Sequence, residues 1–204
     1  MTYLLININT FGFVHREKCK GVSVKYKCGR DFLYYALNYY VPSEFNQHIN
    51  NPEQIEKKRL FGLSVPATFA WTMLQFIKIP ALLKKYSFSI RINKRKVESF
   101  LGFLWAIVFS RISHDESLDL IEQNIDNGSV VGIDIGLRFQ GLEDHIMFVY
   151  GYDEDNFYVF DTNRIPKLEY EKITNDEKFI MRLPKDAVRK RWKKFSRIWE
   201  VKKS

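Results

Sequence analysis

A thiol, an imidazole and a carboxylate spaced along one chain point to nucleophilic acyl transfer, and Cys28, His145 and Asp161 stand in that order here. Cys28 precedes Gly29 and opens "CGRDFLYYALNYY", whose apolar residues recur at helical spacing. At a helix N-terminus the helix dipole lowers a thiol's pKa, and nearby backbone N–H groups can bind an oxyanion. Gly29 lets a substrate backbone approach closely. Taken alone, a cysteine in this place reads as a core residue more readily than as a nucleophile. His145 changes that balance. It heads the apolar strand "HIMFVYGY", and Asp161 closes "NFYVFD" 16 residues later, with a polar turn over 153–156 between them. Two strands joined by a short hairpin fold back so that their far ends lie side by side, which sets His145 next to Asp161. In such a set the thiolate attacks a carbonyl, the imidazole moves the proton, and the carboxylate holds the imidazole tautomer. Asn163 is the alternative orienting group.

The other candidates are weaker. Cys19 lies in the basic stretch "HREKCKG" with no helix start after it. His15 and Cys19 are four apart but lack two further metal ligands, so neither a metal nor a cofactor is expected. His48 falls in a loop and His114 at a helix start, both read as surface positions. The carboxylates of "GIDIG" and "YGYDEDNFYVFD" are assigned mostly to turns, and no glycosidase pair stands out among them.

The elements that must position these residues follow from periodicity. "TYLLININ" is β-compatible, and the helix after Cys28 places Phe32, Ala36 and Tyr40 on one face. "VPSEFNQHINNPEQ" is loop. "SVPATFAWTMLQFIKIP" reads as a helix bounded by Pro66 and Pro80, and Lys94 to Ile112 as a second, strongly apolar one. "SHDESLDLIEQNIDNG" carries a capping box at Ser113 and Glu116, an apolar stripe of Leu118, Ile121 and Ile125, and a closing Gly128. "SVVGIDIGL", "HIMFVYGY", "NFYVFD" and "KFIMRL" are short β-branched and aromatic strands separated by "DEDN" and "NDE". Helices followed by antiparallel strands predict an α+β fold.

Cys-Gly at a helix start, "DHIMFVYGYDEDNFYVFD" at 144–161 and the preceding "LDLIEQNIDNGSVVGIDIG" resemble the papain-like cysteine peptidases. The closest likeness is to the bacteriocin-processing, double-glycine leader peptidase group and its uncharacterised relatives, over about half of the chain. The resemblance implies a papain-like fold with Cys28 as nucleophile, His145 as base and Asp161 as orienter, acting on a peptide or small acyl substrate. An acyl or amide transferase on the same triad and a non-catalytic binding protein with a remnant triad are the alternatives. Those peptidases carry a glutamine about six residues before the cysteine, completing the oxyanion hole; here Val22 stands there. The 117-residue separation of Cys28 from His145 points to a helical insertion around 60–112.

Length and composition bound the rest. A chain of 204 residues with 46% hydrophobic content suits one globular domain. Two cysteines suit a reducing, cytoplasmic setting, and the start "MTYLLININTFGF" lacks the marks of a signal peptide. The net charge of +8 is concentrated at one end. Of 32 Lys/Arg and 24 Asp/Glu, nine and two fall within 185–204, leaving 23 and 22 elsewhere. In that segment Val188, Trp192, Phe195 and Trp199 are spaced four, three and four apart. This predicts a basic amphipathic helix appended to a domain over 1–184, either docked by its aromatic face or engaging an anionic membrane or nucleic acid.

Overall fold

Alternating apolar residues from Val130 onward commit the second half of the chain to strands, and these form the middle of one sheet. The computed structural model describes residues 2–3, 32, 36, 39–40, 87–138, 143–160, 171–172, 180–194 and 196–203. Its strands are β1 (Thr2–Tyr3), β2 (Phe88–Ile92), β3 (Arg95–Lys96), β4 (Val130–Arg138), β5 (Glu143–Tyr152), β6 (Asn156–Phe160), β7 (Glu171–Lys172), β8 (Ile180–Pro184) and β9 (Arg197–Lys203). All pair antiparallel in the order β3-β2-β9-β4-β5-β6-β8-β7, with β1 added to β5. The helices among the described residues are α1 (Phe100–Phe109), α2 (His114–Asp126) and α3 (Lys185–Arg191), and Phe32, Ala36, Tyr39 and Tyr40 are also helical. The protein is a mixed helix and antiparallel-sheet structure, the α+β class that the order of elements predicts.

The caps of α2 form as its sequence dictates. Glu116 N donates to Ser113 Oγ at 3.2 Å, and Gly128 ends the helix at φ +70°, where a side chain would be strained. Leu118, Ile121 and Ile125 are buried.

Side chains alternate across a sheet, so the ladder sorts residues by face. Gly132 lies opposite Phe148 and Trp199, and an added Cβ at Gly132 would come within 2.8 Å of the Phe32 ring. The helix carrying Phe32 therefore covers the Gly132–Phe148–Trp199 face. Tyr40 packs its ring on Phe88 of the same face at 5.2 Å. The other face presents Val131, Ile133, Met147, Val149 and Phe157 and is covered by α2 and α3. Tyr152, opposite Phe157, donates to Asp126 of α2, and Lys185 of α3 pairs with Glu122 while lying over both rings.

Two expectations are corrected. The apolar helix predicted from Lys94 starts only at Phe100. Residues 88–96 form a hairpin whose turn holds Asn93 (φ 46°) and Lys94 (φ 72°) in the left-handed region. Asn93 is one of the few residue types at ease there. The C-terminal segment is not one helix and not an appendage. α3 stops at Arg191, Trp192 turns to an extended conformation, and β9 runs between β2 and β4 inside the sheet. Ile198, Trp199 and Val201 favour a strand, and β9 gains ladder partners on both sides that a surface helix lacks. Of the spaced apolar residues, Val188 lies in α3, Trp192 just past its end and Trp199 in β9.

Candidate functional site

Of the three residues nominated for chemistry, only His145 is among those described; Cys28 and Asp161, with the alternatives Cys19, His48 and Asn163, lie outside them. His145 is the third residue of β5, opposite Ile135 of β4, and only 2% exposed. The predicted hairpin is present. β5 and β6 pair from Tyr152↔Phe157 back to Phe148↔Phe160, with a register shift between Val149 and Gly151. Asp153 builds the turn: its carboxylate accepts from the backbone N–H groups of Asp155 and Asn156 and from the Tyr158 hydroxyl at 2.6 Å. These bonds, led by that of Tyr158, hold its pKa down to about 2. Tyr40 is moved the opposite way, to about 12, because burial disfavours the phenolate.

Two anchors fix the helical residues Phe32 and Tyr40 on the sheet. Phe32 sits on Gly132, while the Tyr40 hydroxyl donates to Val201 O at 2.8 Å and accepts from Val130 N at 3.1 Å. From Phe32 to Tyr40 the contacts move from Gly132 back to Val130, antiparallel to β4. By alternation His145 shares the face of Ile135 and Met147, whereas Phe32 lies on the face of Gly132 and Phe148.

The same end of the sheet holds a polar cluster that sequence reading missed. Asp134 is buried mid-strand, not in a turn, opposite Arg197 of β9. Arg197 Nη1 stands 3.4 Å from Asp134 Oδ2, and Trp199 Nε1 donates to the same oxygen at 3.5 Å. On the other face Glu200 accepts from Ser129 Oγ at 2.9 Å and faces Arg91 Nη1 at 3.7 Å. Charges inside a sheet must be paired, so the carboxylate in "GIDIG" was the available signal. Its cationic partner lies 63 residues away. Asp134 shares a face with Phe32, which puts a fixed charge pair on the side from which the helix approaches.

His114 is exposed, as expected for a surface residue. No helix among the described residues is long and apolar enough to cross a membrane. The chain matches no family model, no curated protein and no solved structure.

Proposed function

We propose that this chain is a cysteine-dependent acyl-transfer enzyme, a peptidase-like hydrolase of papain-like type, with Cys28 as nucleophile, His145 as general base and Asp161 as orienter. One observation carries the reading: β6 pairs with β5 up to Phe148↔Phe160, so Phe160 ends beside the part of β5 that carries the buried His145. The Cys28 thiolate attacks an amide carbonyl carbon, and the C–N bond breaks as the imidazolium of His145 protonates the leaving amine. Water, or an amine in a transfer reaction, gives its proton to His145 and resolves the thioester, releasing the thiol. With Val22 where a glutamine would stand, the oxyanion relies on backbone donors, a difference that typically costs about 10²–10³ in turnover.

A second reading, a non-catalytic binding domain, is favoured by one observation: His145 shares a sheet face with Met147 and not with Phe148, which meets Phe32. Alkylation of the two thiols separates the readings, because Cys19 is an internal reference. The enzyme reading expects Cys28 to react with iodoacetamide at pH 7 roughly tenfold or more faster than Cys19. It further expects the excess to vanish in His145→Ala, and peptide or ester cleavage to be lost in Cys28→Ala. Equal reactivity of the two thiols, unmoved by His145→Ala, overturns the triad and leaves the binding reading.

A further inference from the structure

We propose that α1 is a surface anchor, laid flat on an anionic lipid bilayer by an exposed apolar stripe. This inference is independent of the triad. Large apolar side chains on one helix face normally turn inward, yet Leu101 is 75% exposed, Trp105 53%, Val108 45% and Phe109 57%. At 3.6 residues per turn these four positions fall within about 100° of arc. They form one continuous stripe, in which the Trp105 and Phe109 rings are 4.2 Å apart. The helix is seated by other atoms. Ala106 is buried, and the side-chain amide of Asn93 donates to Ser110 O at its C-terminus.

Charge selects the occupant. The Asn93 bond ties the tip of the β2–β3 hairpin to the C-terminal end of α1, which brings exposed Lys94, Arg95 and Lys96 to that end of the helix, with Arg111 just past it. Lys94 and Lys96 pair with Glu116 and Glu98 at 2.6 and 2.7 Å. Such exposed pairs are weak enough to be exchanged for lipid phosphate or carboxylate. A second copy on this face would add the same cations to it, so exposed Lys94, Arg95, Lys96 and Arg111 favour an anionic surface instead. A helix of ten residues spans about 15 Å, half of a hydrocarbon core of about 30 Å, so it lies in the interface and does not cross it. α1 itself carries no charged residue, so the cations that would meet lipid headgroups come from the adjoining hairpin and from Arg111.

The test uses the full chain and vesicles of phosphatidylcholine with or without phosphatidylserine. Co-sedimentation is expected with the mixed vesicles and not with the neutral ones. It should fall at least tenfold in Trp105→Ala/Phe109→Ala and in Arg95→Glu/Arg111→Glu, with circular dichroism unchanged because all four residues are exposed. Trp105→Phe is expected to keep binding while losing the fluorescence blue shift that lipid produces in the parent. Absence of vesicle binding, or binding indifferent to Trp105 and Phe109, overturns the proposal. So does a dimer dissolved by the Trp105/Phe109 change in a protein that ignores vesicles, which would assign the stripe to a second copy.

Discussion

Asp153 and Asp134 differ by little in composition and greatly in circumstance. Asp153 lies in a turn and takes its hydrogen bonds from within five residues: Asp155, Asn156 and Tyr158. A sequence window is wide enough to expose such an arrangement, and "DEDN" reads as a turn for that reason. Asp134 depends on Arg197 and Trp199, whose proximity exists only once β9 has joined β4, so no local pattern could announce it. Removing the Asp153 acceptor by substitution with alanine leaves two backbone donors, the Asn156 amide and the Tyr158 hydroxyl to be satisfied by water at a distorted turn. The expected loss is about 1–2 kcal/mol by urea denaturation at pH 7. The pH dependence has a definite sign. The folded-state pKa lies below the ordinary 3.8, at about 2, so the carboxylate's contribution is complete above pH about 4 and fades as pH falls toward 2. The stability gap between parent and Asp153→Ala should therefore narrow between pH 5 and pH 2.5, roughly the window spanned by the two values. A gap that stays constant over that range would refute the charge-assisted bonds.

At the scale of elements, periodicity reveals which residues share a face but not what the face meets. The spacing of Phe32, Ala36 and Tyr40 marks a helix side, and Phe32 and Ala36 are indeed buried with Tyr40 packed against them. That this side lands on the Gly132 face of β4 is a tertiary fact, made possible by the missing side chain at Gly132. The hairpin at 88–96 was hidden for a related reason: its turn depends on left-handed Asn93 and Lys94, while the apolar run beyond it is helical. Gly132→Ala drives a methyl group into the edge of the Phe32 ring, which is itself enclosed. Overpacking of this kind costs about 1–3 kcal/mol. Phe32→Leu alone opens a void and is also destabilising, yet together the two substitutions relieve each other. A double-mutant cycle by chemical denaturation should return a favourable coupling of about 0.5–2 kcal/mol. Additivity would mean that Phe32 does not lie on Gly132.

Across the whole molecule the largest difference between sequence and structure is the C-terminus. Nine cationic side chains crowded into 185–204 look like a solvated tail, and charge is usually a sound guide to exposure. Here Arg197 and Glu200 are buried through Asp134, Ser129 and Arg91, and Trp199 and Val201 enter the core between strands that are 61 residues or more from them in sequence, β2 and β4. β9 lies between β2 and β4 and joins the β2–β3 hairpin to the rest of the sheet. Truncation tests this directly. A chain ending at Trp192 keeps α3 but removes β9, leaving β2 and β4 with unpaired edges and Asp134 without Arg197; loss of one buried partner alone costs about 3–5 kcal/mol. Since a domain is typically stable by only about 5–15 kcal/mol, that truncation should abolish cooperative thermal unfolding and near-ultraviolet circular dichroism. Removing only Lys203 and Ser204 takes away one exposed ladder position and should leave the melting temperature within a few degrees, about the shift that 1 kcal/mol produces in a domain of this size. A truncation at Trp192 that still melted cooperatively would return the segment to the status of an appendage.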